Sequence, residues 1–194
     1  MLNFRESISK EEINTLPVLE YSDKKIVLVD TLNKLKSAVD VLKNEEVLGF
    51  DTETKPSFEK GKSNKVALLQ FSTADTCYLI RLNVLGMQNS IIELLSSEKP
   101  LKIGLSLKDD YKMLNRRRSF KPAGFLDIQS VINKFGIKDM SLQKIYAIMF
   151  NKKISKSQRL TNWQAPNLTI QQQTYAAVDA WACMDIYNVI KDEL

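Results

Sequence analysis

The octapeptide VLGFDTET, residues 47–54, decides how this chain is read. Its apolar and β-branched residues point to a central strand, in which side chains alternate between faces. Asp51 and Glu53, two positions apart, therefore share one face. Two like charges so placed repel each other unless something positive stands between them, and a metal ion meets that need.

Outward from this strand, the N-terminal 24 residues read as an arm. In it SKEE (9–12) has the form of a capping box for a short helix that Pro17 ends. KIVLVD (25–30) reads as a strand, and Leu32, Leu35, Val39 and Leu42 recur at helical spacing within 30–44. A polar loop (55–64) follows the central strand, and KVALLQFST and CYLIRL then form a hairpin. Residues 84–97 and 108–117 read as helices, with LKIGLSL (101–107) and AGFLDIQ (123–129) as strands. In the last third, Ser141 is expected to cap LQKIYAIMF, a basic loop follows, and Thr169 opens a long helix with Gln172 in capping-box position. The alternation implies an α/β fold, a mixed sheet of five to six strands with helices on both faces.

The chain has 194 residues, 44% hydrophobic and 26% charged, which suits one globular domain over 25–194 behind the arm. Histidine is absent, so Ser-His-Asp triads, histidine-bound zinc and histidine bases are excluded. Cys77 and Cys183 sit in apolar runs without a C-x-x-C partner and read as buried free thiols, which fits a reducing, cytoplasmic setting. No apolar run approaches the roughly 20 residues of a membrane span, and the N-terminus is too polar for a signal peptide. The terminal KDEL matches a retention signal, but without a signal peptide it reads as the last charges of a helix. Neither a membrane nor an obligate protein partner is inferred. Net charge is +5, and residues 99–159 hold 15 Lys or Arg against four Asp or Glu, which suggests a polyanionic partner.

Asp51 and Glu53 end a central strand, Asp109 or Asp110 opens the helix after the 101–107 strand, and Tyr175 and Asp179 share a face at i and i+4 of the final helix. Strand ends and helix starts are where α/β sites assemble. Four carboxylates from three elements can hold two divalent cations about 4 Å apart, an arrangement suited to phosphodiester hydrolysis. Taken singly, each residue has a plainer structural explanation: a D-x-E at a strand end, an aromatic on an amphipathic helix, a solvated helix charge.

FDTET, IGLSLKDDYKML and YAAVDAWACMDIY resemble, in order, the three motifs of the DEDD superfamily of 3′-5′ exonucleases, in its tyrosine-bearing class. The stretch SKSQRLTNWQAPNLTIQQQTYAAVDA is especially similar to the branch of RNase D and the Werner syndrome exonuclease domain. The resemblance spans roughly residues 25–192. It does not extend to an RNase D-like C-terminal helical accessory domain, a helicase or a polymerase. It implies an RNase H-like fold, two Mg²⁺ or Mn²⁺ ions and a nucleic acid substrate with a free 3′ end. It also implies that Asp51, Glu53, Asp109 and Asp179 are metal ligands, and that Tyr175 orients the attacking water. Helical spacing leaves Asp109 and Asp110 open, because Asp109 shares a face with Met113 and Asp110 with Leu114. Family sequences place a Leu five positions after the catalytic Asp, and this selects Asp109. Thr52, Thr54 and Arg159 are the implied substrate contacts, and Lys152, Lys153 and Lys156 are candidates for the strand's path. Trimming of structured RNA and a silent nucleic-acid-binding module are the rival functions.

Overall fold

The computed structural model describes residues 2–59 and 61–194; Met1 and Lys60, the latter within the expected 55–64 loop, lie outside the described residues. Six strands form one sheet: β1 (Lys25–Val29), β2 (Val47–Thr54), β3 (Val66–Ser72), β4 (Thr76–Arg81), β5 (Leu101–Gly104) and β6 (Phe125–Asp127), in the order β1-β4-β3-β2-β5-β6. β2, β3 and β4 make the antiparallel meander, while β1 joins β4, β5 joins β2 and β6 joins β5 in parallel. A mixed sheet follows because the hairpin links antiparallel neighbours, whereas the later strands return through helical crossovers.

Along β2 the two faces part company. Leu48 and Phe50 point to the side covered by α2 (Leu32–Leu42), α4 (Asn89–Ser96) and α5 (Leu107–Asn115), where they join one apolar cluster. Phe50 is 1% exposed and packs edge-on against Phe125, a burial that contributes about 1.5–3 kcal/mol. The opposite face meets α7 (Ile170–Ile190), whose twelve buried residues lie all around it, as suits a helix enclosed by protein. Gly49 permits that contact, because a Cβ there would collide with the Ala180 carbonyl and the Ser72 hydroxyl. Close approach of α7 to β2 brings Asp179 level with Asp51.

Both expected capping boxes form, Ser9 with Glu12 ahead of α1 (Lys10–Thr15) and Thr169 with Gln172 ahead of α7. Two details differ. The 84–97 helix is two helices, α3 (Leu82–Leu85) and α4, separated at Gly86, whose φ of 68° ends α3. Ser141 occupies the N-cap of α6 (Leu142–Phe150), but its side chain makes no capping bond.

The arm is built into the domain. Ile8, Ile13 and Leu19 are buried in the cluster that also holds Ile145 of α6 and Ile186 of α7. Leu19 donates its amide to the Lys153 carbonyl at 2.8 Å and Lys153 returns a bond to Pro17 at 2.9 Å, so the arm holds the basic loop in register. The Tyr21 and Tyr146 hydroxyls both donate to Asp185 of α7. No helix among the described residues is long and apolar enough to cross a membrane.

Candidate active site

β2 delivers Asp51 and Glu53 to the α7 side, where one oxygen from each of Asp51, Glu53 and Asp179 lies within 4.8 Å of the others. Three hard oxygen donors this close suit a divalent cation such as Mg²⁺ or Mn²⁺. The arrangement fits a metal on its own electrostatics as well. Burial, with the charges of Asp179 and Asp110, pushes the Glu53 carboxyl up to about 9; burial with the charges of Asp109 and Asp127 pushes Asp110 up to about 7, and burial alone raises Asp179 to about 7. Asp51 is raised by burial and by the charges of Asp179, Asp110 and Glu53. Such a cluster holds protons until a cation displaces them.

Of the two aspartates in the second motif, the structure turns Asp110 inward and leaves Asp109, the expected ligand, at the surface. Asp110 accepts the Thr52 hydroxyl and reaches the Asp51 and Glu53 carboxylates electrostatically. The buried residue that shares a helix face with this position is Leu114, 0% exposed, and i to i+4 from Leu114 leads back to Asp110. Alignment on a leucine five residues downstream selects Asp109 instead, which stands about 100° away around the helix.

Asp127 is a positioning residue that the sequence reading missed. From the end of β6 its carboxylate accepts the amides of Ser106 and Leu107 at 3.0 and 2.9 Å, capping α5 across the sheet. The cap holds Ser106 in a left-handed conformation (φ 62°), from which α5 starts and aims Asp110. Only the chain neighbour of a helix is a readable cap in sequence, and Asp127 lies 20 residues away.

Thr52 has its hydroxyl on Asp110 and so faces away from the Asp51–Glu53 side. Thr54 ends β2 just past a register shift. Tyr175 stands one turn before Asp179, whose ionised form its hydroxyl favours, and its ring lies 6.0 Å from that of the fully buried Trp163. Burial and the neighbouring carboxylates raise the Tyr175 hydroxyl far above its ordinary value. Arg81, itself buried, donates to the Ala165 and Pro166 carbonyls and pins the loop that carries Trp163. Arg159 is exposed; its charge offsets the negative field at Glu53 and Tyr175, and it lines a crevice of about 650 Å³ with Asp51, Asp179 and Lys156.

A six-stranded mixed sheet with carboxylates gathered at the end of its central strand defines an RNase H-like nuclease domain. Residues 26–194 match the family model described as 3′-5′ exonuclease, and the chain belongs to that family. Over 153 residues, 76% of this chain and 11% of the relative, it is 29% identical to the bifunctional 3′-5′ exonuclease/ATP-dependent helicase WRN of Mus musculus. The crystal structure of the Aedes aegypti Nibbler EXO domain superposes with a TM-score of 0.76 at 23% identity, covering 92% of each chain. Escherichia coli RNase D superposes with a TM-score of 0.75 at 19% identity, over 90% of this chain and 45% of that one. The chain spans 11–28% of the length of such curated relatives.

The raised carboxylates fix a pH dependence of stability. Native groups that titrate at about 7 to 9 hold protons which the unfolded chain, titrating near 4, has released, so the metal-free fold loses stability as pH rises across that window. Below about pH 4 both states are protonated and the effect vanishes. Differential scanning fluorimetry in EDTA should show a melting temperature that falls from pH 5.5 to 8.5. Added Mg²⁺ should raise it most at pH 8.5, where fewer protons must be displaced. A metal-induced shift that shrinks with pH would contradict the cluster's role.

Proposed function

We propose that this domain releases nucleoside 5′-monophosphates from the 3′ end of a nucleic acid strand, with two Mg²⁺ or Mn²⁺ ions held by Asp51, Glu53, Asp110 and Asp179. The observation that carries this is the convergence of Asp51, Glu53 and Asp179 within 4.8 Å beside Tyr175. Divalent cations bound there would supply positive charge to activate water and to steady the leaving oxygen. The complete acidic set argues against a silent binding module.

The chain's own groups divide the remaining work. Tyr175 stays protonated at neutral pH, so it orients the attacking water as a donor or acceptor and does not remove a proton as a free phenolate. Trp163 fixes the plane of its ring. Arg159 and Lys156, on the rim of the crevice, contact the terminal phosphate and offset its charge. Thr52 acts on the substrate through its backbone, since its hydroxyl steadies Asp110, and Thr54, at the end of β2, supplies the second contact of the proposed mechanism. The buried free cysteines Cys77 and Cys183 support a reducing, cytoplasmic setting.

The test is degradation of 5′-labelled single-stranded DNA, recessed duplex and RNA in Mg²⁺ and in EDTA. A ladder shortening from the 3′ end, with mononucleotide product and no cleavage in EDTA, is expected. Internal cleavage, or activity that survives EDTA, would overturn the assignment. Tyr175→Phe keeps the ring packed on Trp163 but removes the hydroxyl, and its kcat should fall by about 10² to 10⁴ with little change in melting temperature. Full activity would remove the tyrosine from the mechanism.

A further inference from the structure

The crevice beside the carboxylates does not end at Arg159. It continues past Ser141, Gln143, Ile154 and Ser155 into a second groove of about 520 Å³. That groove lies between α1 of the arm on one side and α6 with the basic loop on the other. Four lysines line it: Lys10 from the arm, Lys144 from α6, and Lys153 and Lys156 from the loop. Among the described residues, no acidic side chain lines it. Lys144 shares its charge with Asp139 at 2.7 Å, and the Lys153 ammonium donates to the Asn14 carbonyl at 2.6 Å. Among the described residues, neither Lys10 nor Lys156 forms a close ion pair, and Lys156 reaches Asp179 only through its longer-range field.

Lys10 is the sharpest of these features. It occupies the first position of α1, where the helix dipole disfavours a cation, so helix stability does not account for its charge. The arm that carries it is held by buried Ile8, Ile13 and Leu19 and by the paired backbone bonds to Lys153. A cation has thus been placed on a rigid wall facing other cations, an arrangement that repels itself unless an anion lies between. The uncapped start of α6 adds partial positive charge along the shared stretch.

We propose that this groove is the path of the single strand on the 5′ side of the scissile nucleotide, and that the N-terminal arm is therefore one wall of the substrate site. The proposal rests on the exonuclease reading, because that reading places the 3′ end at the carboxylates and leaves the 5′-ward phosphates to leave through the lysine-lined side. A string of phosphates is the ligand whose charge and spacing suit cations distributed along a groove.

The test uses Lys10→Glu combined with Lys153→Gln. The first change favours α1 through its dipole, and the second keeps a donor for the Asn14 carbonyl, so the arm stays folded; an unchanged melting temperature checks this. Binding of fluorescein-labelled dodecathymidylate is followed by anisotropy in EDTA over a range of salt. Hydrolysis of the p-nitrophenyl ester of thymidine 5′-monophosphate, which fills only the catalytic end, is followed in Mn²⁺. The variant should bind the dodecamer about tenfold more weakly at low salt, with a log–log salt slope shallower by about 1.4 for two lost phosphate contacts, while turnover of the ester holds. Unchanged dodecamer affinity and slope would overturn the proposal, as would an equal loss with the ester. An equal slope change with a blunt twelve-base-pair duplex would also overturn it, since a single-strand path would not produce one. Wild-type protein that cleaves neither substrate yet shows the binding difference would remove the exonuclease reading and keep the groove.

Discussion

Asp51→Asn should lower kcat by at least about 10³-fold while the metal-free protein becomes more stable, two effects of opposite sign from one atom. Asp51 stands on the α7 face of β2 between Glu53 and Asp179, and its charge is unfavourable there without a cation, as its raised pKa shows. Asparagine keeps the shape and removes the charge, so repulsion within the cluster is relieved. The same change deletes a ligand from the three-oxygen set. Calorimetry or scanning fluorimetry in EDTA should report a higher melting temperature than wild type at pH 8, and a smaller increase on adding Mg²⁺. A packing defect would lower stability in both conditions, so the two readouts separate loss of the metal site from loss of fold. Wild-type hydrolysis in Mg²⁺ by this variant would end the metal assignment.

How much of this was legible in the sequence depends on the range of the interaction. Apolar runs, helical spacing and capping signals located the strands and the principal helices, because each is a local requirement of the segment itself. That Asp51 pairs with Glu53 and Tyr175 with Asp179 was legible too, since i, i+2 and i, i+4 spacings determine which side chains share a face, while the meeting of the two pairs was implied by the family resemblance. What escaped depends on contacts distant in the chain. How the arm packs was not legible, because Ile8, Ile13 and Leu19 gain meaning only beside α6 and α7. Asp127 caps a helix that starts 20 residues before it. Gly86 looked like an interior helix residue, yet its left-handed φ splits the segment in two. Burial of Leu114 determines the azimuth of α5, and burial is a property of the assembled core.

That azimuth yields the second large effect. Asp110→Ala should reduce kcat by about 10² to 10³, whereas Asp109→Ala should stay within about twofold of wild type. Asp110 sits half-buried against Thr52 with its charge felt at Asp51 and Glu53, and the proposed mechanism counts it among the residues that share the cations. Asp109 is exposed in the first turn of α5, where its charge complements the helix dipole. Its removal should therefore lower stability by about 0.3–1 kcal/mol at low salt and leave chemistry alone. The two variants thus exchange roles between assays: one loses turnover, the other loses a little stability. Thr52→Val supplies an intermediate case, because it removes the hydroxyl that Asp110 accepts while keeping the carboxylate, and it should restrain kcat less than Asp110→Ala does. Steady-state kinetics on a 3′-labelled oligonucleotide with parallel thermal melts will rank the three. If Asp109→Ala proves the inactive one, α5 must turn by about 100° from the orientation set by the Asp127 cap and buried Leu114, and the second motif belongs one residue earlier.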